Sequence, residues 1–296
     1  MKNKNYFLWY IGIVFILSYG WQYLIYLTGA IESILFPFLM WFPGIVAVFF
    51  IIFSKAGFRQ IGWGLKKWGY IFPAIIIPLA VSLGLVFLIE GLNWGILSDK
   101  LFVFNNGMLE SSKIGLLFGN DKQSMTFFIT NLILSHIVFL IGGSILTLGE
   151  ELGWRGYLQE KLLRKYGLIW GLILLGAIWG YWHLPIILMG YNFPNQPVLG
   201  ALIFMPVGTI FIGIFLGWIY LRSKSIWMPA LAHTSLNLFS GFLYGMTMNY
   251  YELSRQLVWI AAWGIVATFC LINLYKNRPL LWQDKGAKDD NNVYKK

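Results

Sequence analysis

Long apolar runs separated by short polar segments dominate the pattern of this sequence. A transmembrane helix needs about 20 mostly apolar residues. Eight runs meet that length, at 6–27, 34–53, 70–92, 126–148, 168–189, 198–221, 226–246 and 256–275. Lipid offers no hydrogen-bond partners to the backbone, so such runs form helices, whose N–H and C=O groups pair internally. The sequence therefore predicts an all-α, polytopic membrane helix bundle with about eight spans.

Composition supports a membrane protein. Hydrophobic residues make up 58% of the chain and charged residues only 11%, whereas soluble domains carry about 25% charged residues. The net charge of +10 could suggest nucleic acid, but the basic residues follow the loops between spans and do not gather into one binding face. We therefore expect the lipid bilayer as the surroundings and no nucleic-acid partner.

Most basic residues fall on one side of the predicted bundle. With a cytoplasmic N-terminus, the outer side would hold only four of the 22 basic residues, and the opposite orientation would invert that ratio. Cytoplasmic loops carry the excess of Lys and Arg in membrane proteins. This predicts a multi-pass protein of the cell membrane with both termini in the cytoplasm. The four outer residues would be Lys100, Lys113, Lys122 and Arg255.

The chain divides into four predicted parts. The first run is longer than a signal-peptide core and lacks a small-residue cleavage site, so we expect it to be retained. Residues 1–125 hold three spans and an outer loop (92–125) that has room for a short helix, residues 126–246 hold the chemistry-bearing motifs, and residues 247–278 hold the last span. The polar tail at 279–296 is predicted to be disordered.

The single cysteine, Cys270, excludes an internal disulfide and a cysteine-rich metal site.

Two adjacent carboxylates follow the fourth run. Glu151 and Arg155 are four residues apart, which places them on one helix face and predicts an ion pair. Glu150 points about 100° away from Glu151 and has no partner within its own helical turn. Ionisable residues in or near lipid are functional candidates, so Glu150 is a candidate catalytic base. The stretch 149–166 fits a helix that continues past the membrane edge or lies along it.

All three histidines fall within predicted spans. His183 precedes Pro185, which should weaken the helix, and Trp179 lies one turn earlier on the same face. Asn237 lies one turn after His233 on a common face.

Depth along the spans separates the histidines. His136 is fourteen residues before Glu150, or roughly 21 Å along a helix axis, and is assigned to packing. Counting from the span ends places Glu150 and His233 at similar depth and His183 deeper. The nearby aromatic residues are assigned to the interfacial belt and the core, not to a substrate pocket; they are Trp154, Tyr157, Trp170, Trp179, Tyr181 and Trp182.

The order of these motifs is similar to that of a known family. Glu150-Glu151-x-x-x-Arg155, an aromatic-x-x-x-His183 and His233-x-x-x-Asn237 resemble the CAAX prenyl protease and bacteriocin-processing (Abi) family. Its members resemble the type II CAAX prenyl endopeptidases, which are intramembrane glutamic proteases. The resemblance covers roughly 126–246. The second motif of the family usually begins with phenylalanine, which Trp179 replaces with another aromatic on the same face.

The resemblance implies an intramembrane endopeptidase whose site opens to the cytoplasm. Glu150 and His183 would activate a water, His233 and Asn237 would stabilise the oxyanion, and Glu151 with Arg155 would hold the first helix in place. The substrate would be a membrane-associated peptide or protein, and no cofactor is required. A zinc ion held by Glu150, His183 and His233 is the alternative mechanism, although no HExxH motif occurs and Asn237 is a poor zinc ligand.

Two other functions compete with hydrolysis. A non-catalytic bacteriocin-immunity or peptide-binding protein could use the same cavity without cleaving anything. A small-solute carrier is less well supported, because the chain shows no internal repeat and few charges along a pathway. Among enzymes, the absence of a Walker loop and of a dinucleotide-type glycine pattern disfavours nucleotide-dependent chemistry.

Overall fold

The computed structural model describes residues 6–29, 35–53, 57–65, 67–97, 103–110, 116–119, 122–248 and 252–277. The predicted disorder of the tail at 279–296 concerns residues outside these ranges. The division of the chain by function stays a prediction.

Helices account for most of the described chain. The α-helices are α1 (Tyr6–Thr28), α2 (Leu35–Leu39), α3 (Phe42–Ile52), α4 (Ile71–Gly91), α5 (Met125–Glu151), α6 (Glu160–Tyr166), α7 (Leu168–Trp182), α8 (Leu184–Leu188), α9 (Pro197–Leu199), α10 (Met205–Ser223), α11 (Trp227–Met246) and α12 (Glu252–Lys276). Two π-helical segments, Leu152–Gln159 and Gly200–Phe204, continue the α5–α6 and α9–α10 stretches. Two 3₁₀ turns lie at Gly57–Gln60 and Trp68–Tyr70. The predicted all-α class is confirmed.

Six described helical stretches are long and apolar enough to cross a membrane. They are Tyr6–Thr28, Leu35–Ile52, Trp68–Gly91, Met125–Tyr166, Pro197–Ser223 and Leu253–Lys276. The sequence predicted about eight spans, and the other two runs fall short for different reasons. The run at 168–189 is interrupted at His183, which leaves a 15-residue helix, α7. In α11, polar residues such as His233, Thr234 and Asn237 dilute the apolar character.

Short strands occur in the predicted outer loop, where we had considered a short helix. Strands β2 (Val103–Asn105), β3 (Met108–Glu110) and β4 (Gln123–Ser124) form an antiparallel three-stranded sheet in the order β2-β3-β4. Strand β1 (Ile96–Leu97) pairs with β5 (Thr247–Met248). Within the described part of the loop there is therefore strand rather than helix. Each strand is two or three residues long, so the all-α class is unchanged.

The described chain forms two compact units. The first takes its residues from Met1–Tyr70, Leu146–Ala230 and Trp263–Lys296, and the second from Ile71–Ile145 and Leu231–Ala262. In the first unit, α7 packs along α10, and α3 packs against the π-helical segment Leu152–Gln159. In the second unit, an apolar cluster of α4 residues (Leu85, Val86 and Ile89) packs against Trp259 and its neighbours on α12.

Glycines allow the helices of the first unit to approach closely. A Cβ on Gly180 of α7 would lie 2.5 Å from the Pro206 Cα, and one on Gly176 would overlap the backbone of Ile210 in α10. A Cβ on Gly149 would lie 2.7 Å from the Met40 carbonyl oxygen. Small residues at four-residue spacing are the usual means of bringing membrane helices into backbone contact. These contacts hold α7 and the end of α5 in fixed positions.

The connection between α6 and α7 is a tight turn at Gly167. Its φ of 78° lies in the left-handed region, which glycine enters without a steric cost. The Gly167 N–H caps α6 by donating to the Leu163 carbonyl. Helix α7 then runs back along α6, with Gly171 against Leu162 and Leu163. This helical hairpin determines which residues of the two helices lie side by side.

Candidate active site

The two adjacent carboxylates end α5 and lead directly into a π-helical segment. Glu150 is 3% exposed and Glu151 is fully buried. From Leu152 to Gln159 the chain is π-helical, and all eight of these residues are buried. Such i→i+5 segments are rare and occur frequently at functional sites. Helical structure continues from α5 through this segment to Tyr166, and the position of 149–166 relative to the membrane edge stays a prediction.

The predicted ion pair between Glu151 and Arg155 is confirmed. Arg155 Nη1 donates to Glu151 Oε1 at 2.8 Å, and neither side chain is exposed. The Arg155 guanidinium also lies over the ring of Trp179, 4.7 Å from the centroid, which is a favourable cation–π geometry. The pair therefore connects the end of α5 with α7.

Glu150 has a partner that the sequence did not reveal. The indole Nε1 of Trp179 donates to Glu150 Oε2 at 2.7 Å, within the buried interior. This donor lies 29 residues further along the chain, so helical spacing alone does not predict it. A charge-assisted hydrogen bond of this length is among the stronger ones in proteins. Trp179 is 3% exposed, which agrees with its assignment to the core, but its hydrogen bond to Glu150 was not predicted.

His183 occupies the break between α7 and α8, as its position before Pro185 predicted. Its Nδ1 lies 2.9 Å from the carbonyl oxygen of Trp179. A carbonyl only accepts, so in the neutral ring the proton is on Nδ1 and Nε2 is the accepting nitrogen. The indole of Trp182 packs edge-on against the imidazole, with centroids 4.7 Å apart.

Glu150 and His183 lie on the two arms of the helical hairpin that turns at Gly167. The difference in depth between the two residues stays a prediction. Trp179 completes the link, since its side chain bonds to Glu150 and its carbonyl to His183.

His233 and Asn237 belong to the second unit and are described within it. They lie one turn apart on α11, with His233 4% exposed and Asn237 exposed. The imidazole of His136, assigned to packing, stacks on Phe239 at 6.4 Å between centroids, and its Nδ1 lies 2.6 Å from the Leu132 carbonyl oxygen. These contacts agree with the assignment of His136 to packing.

Metal binding stays a prediction. Within each unit, the described residues contain no group of three or more His, Cys, Asp and Glu side chains placed to hold a metal ion. The predicted alternative zinc site takes its ligands from both units, since Glu150 and His183 lie in the first and His233 in the second.

The fold and its buried charged groups define a multi-pass, all-α membrane protein. Residues 130–239 match the family of type II CAAX prenyl endopeptidases described as Rce1-like. A curated relative, CAAX prenyl protease 2 of Methanococcus maripaludis, is 36% identical over 94 residues. That stretch covers 30% of this chain and 34% of the relative.

The predicted resemblance is confirmed for the matching segment. It contains Glu150, Glu151, Arg155, His183, His233 and Asn237. Its bounds, 130–239, fall within the predicted 126–246. Helices α1 and α3 lie outside the match, although α1 packs against α7 and α8 and α3 packs against the π-helical segment Leu152–Gln159.

Proposed function

We propose that this chain is an intramembrane endopeptidase that hydrolyses a peptide bond of a membrane-associated peptide or protein. The observation that carries the proposal is the link from Glu150 through Trp179 to His183, within the segment that matches the endopeptidase family. A carboxylate and a histidine that are both bonded to one residue suit the activation of a water molecule.

The tautomer of His183 supports its role in this step. With the proton on Nδ1, Nε2 can accept from a water while the Trp179 carbonyl fixes the ring. The indole of Trp179 holds the Glu150 carboxylate through Oε2. The water loses a proton to Glu150 or His183, and its oxygen forms a bond with the substrate carbonyl carbon. The C–N bond then breaks, and the same proton leaves with the amine.

The remaining site residues receive supporting roles. His233 and Asn237 carry N–H donors, which suit stabilisation of the negative charge on the carbonyl oxygen. Glu151 and Arg155 hold the end of α5 against α7. The relative is named as a CAAX prenyl protease. We therefore include a prenylated peptide in the proposal as one substrate class. We place the protein in the cell membrane with the site accessible from the cytoplasm.

A comparison of membrane peptides tests the proposal. Peptides extracted from membranes of cells that contain the wild-type protein are compared with those from cells that contain Glu150→Ala. We expect a set of cleaved products that disappears in the variant, although both proteins insert in equal amounts. If the mechanism uses zinc instead of the glutamate alone, treatment with a chelator removes the cleaved products. Adding zinc back then restores them.

Identical peptide sets from the two cell lines would overturn the proposal. The same variant then separates the non-catalytic alternative. A bacteriocin-immunity or peptide-binding protein should protect cells equally well with Glu150→Gln as with the native residue, whereas a protease should lose protection together with cleavage.

A further inference from the structure

The helix break at His183 leaves backbone groups that need other partners. Pro185 has no N–H, so the Tyr181 carbonyl loses the donor that an uninterrupted helix would give it. In such a helix, the Ile186 N–H would also donate to the Trp182 carbonyl. Unpaired backbone groups are especially costly in a protein surrounded by lipid.

Two side chains of α1 bond to these groups. Gln22 donates from Nε2 to the Trp182 carbonyl at 3.0 Å and accepts at Oε1 from the Ile186 N–H at 2.9 Å. Its amide thus bridges the donor and the acceptor that one helical hydrogen bond would have joined. The Tyr19 hydroxyl donates to the Tyr181 carbonyl at 2.6 Å. Gln22 is fully buried, one turn after Tyr19 on the same helix.

We propose that Gln22 is a positioning residue for His183 and acts through the backbone on both sides of it. The two residues that Gln22 bonds, Trp182 and Ile186, flank the break in which His183 lies. The orientation of the imidazole follows from the backbone at 182–186 together with its bond to Trp179. Helix α1 therefore completes the site from outside the segment that matches the endopeptidase family.

A polar side chain in this position has a physical reason. An apolar residue at 22 would leave a buried N–H and a buried C=O without partners, and the break would close or shift to pair them. Either movement turns the His183 ring away from its present direction. The contribution of Gln22 is thus geometric, and it should affect the reaction step more than the binding of substrate.

The experiment compares Gln22→Met with the wild type and with Ser18→Ala. Methionine has a similar length but lacks the amide. Ser18 is buried one turn earlier on α1, and its hydroxyl has no hydrogen-bond partner among the described residues, so its removal should change nothing. Cleavage of a fluorogenic farnesylated CAAX peptide in liposomes gives kcat and KM; this readout depends on the proposed function.

The second readout does not depend on activity. Nitrogen NMR of ¹⁵N-histidine-labelled protein distinguishes the tautomers of its three histidines, and His183→Gln assigns the His183 signals. For Gln22→Met we expect kcat to fall on the order of ten-fold with KM nearly unchanged. We also expect the His183 signal to change from a single Nδ1–H tautomer to an exchanging mixture.

The outcomes separate the two proposals. Unchanged His183 nitrogen signals in Gln22→Met would overturn the positioning role, whether or not any peptide is cleaved. If the wild-type protein does not cleave the farnesylated peptide but the spectral change is seen, only the prenylated substrate class is overturned, and the positioning role of Gln22 stands. If Gln22→Met does not accumulate, Gln22→Glu decides the matter, because it keeps the acceptor for the Ile186 N–H but loses the donor to the Trp182 carbonyl. A His183 signal in Gln22→Glu that differs from the wild-type signal supports the role, and a signal identical to that of the wild type overturns it.

Discussion

Trp179 is the residue that joins the charged groups of the candidate site. Its indole N–H donates to Glu150, its ring faces Arg155, and its carbonyl lies against His183. The family that this chain resembles usually has phenylalanine at this position. A phenylalanine would keep an aromatic ring but would lack the N–H that donates to Glu150. The replacement by tryptophan adds a hydrogen bond to the proposed base, so the two aromatic residues are not equivalent here.

We expect Trp179→Phe to lower kcat/KM roughly ten-fold while the protein stays folded. A hydrogen bond to a charged group contributes about 1.5–3 kcal/mol, and 1.4 kcal/mol corresponds to a factor of ten. The retained ring still packs under Arg155. The assay is cleavage of the fluorogenic farnesylated peptide in liposomes.

The matched control is Trp170→Phe. Trp170 lies on the same helix and is 66% exposed, so the same chemical change there should leave kcat/KM unaltered. Equal activities of Trp179→Phe and wild type would show that the indole N–H does not support catalysis.

The Glu151–Arg155 pair offers a second prediction at this scale. Removing one partner of a buried ion pair leaves an uncompensated charge, which costs about 3–5 kcal/mol. We therefore expect Glu151→Gln to lower the free energy of unfolding by about that amount, measured by reversible unfolding in mixed detergent micelles. The double variant Glu151→Gln/Arg155→Met should recover part of the loss.

The chain supplies its own control for that measurement. Glu160 and Arg164 have the same spacing and the same 2.8 Å separation, but their side chains are 25% and 49% exposed. An exposed pair contributes about 0–1 kcal/mol, so Glu160→Gln should have little effect on stability. Similar losses for the two variants would contradict the importance of burial.

These two contacts also show what sequence reasoning can find. The Glu151–Arg155 pair was predictable because helix geometry alone places residues four apart on one face. The bond from Trp179 to Glu150 was not, because its partners are 29 residues apart and meet only through the position of the turn. The signal that could have found it is chemical: tryptophan carries an N–H that needs a partner when buried.

At the scale of elements, the main surprise is the continuity of the helix after the fourth apolar run. The sequence predicts a span that ends at 148, because polar residues begin there. Helical structure instead continues through Glu151 and the π-helical segment to Tyr166. Packing against α3 and α7 buries residues that a hydropathy pattern would place at a surface.

Gly149 packs against the start of α3, where a Cβ on Gly44 would overlap the Gly149 carbonyl. Its missing Cβ would meet the Met40 carbonyl and the Trp41 backbone within 3 Å. We expect Gly149→Ala to lower the free energy of unfolding by about 1–3 kcal/mol, as overpacking does. Because Glu150 is the next residue, cleavage should fall as well. Unfolding in mixed micelles measures the first effect.

Gly142 on the same helix is the control. A Cβ there would have no neighbour within 4 Å, so Gly142→Ala should be neutral or slightly stabilising through its helix propensity. A loss of stability in Gly142→Ala equal to that in Gly149→Ala would indicate that helix flexibility, not contact with α3, explains the effect.

At the scale of the whole molecule, the sequence established the class of protein but not how its site is assembled. Apolar runs and low charge predicted a multi-pass helical protein, since the length of a span and backbone pairing follow from the bilayer itself. The contribution of α1 could not be read in this way. Gln22 and Tyr19 are isolated polar groups in an apolar run, and their partners are about 160 residues away. Pairing over such sequence distances depends on how the helices pack, and the local pattern of apolar and polar residues does not predict it.

The orientation of the molecule provides the last prediction. The continuous stretch Met125–Tyr166 has 42 residues, about twice the number that one span needs. Part of it therefore lies outside the membrane. The end near Tyr166 carries Arg164 and Lys165, both exposed. The distribution of basic residues predicts that this end lies in the cytoplasm.

Labelling with a membrane-impermeant maleimide checks this orientation in intact cells. In a Cys270→Ala background, we expect Lys122→Cys to react at once and Lys165→Cys to react only after the membrane is permeabilised. Both side chains are exposed, so a difference in reactivity reports the side of the membrane rather than burial. The reverse pattern would place the helical hairpin of α6 and α7 outside the cell, and a substrate would then reach the Glu150 site from that side.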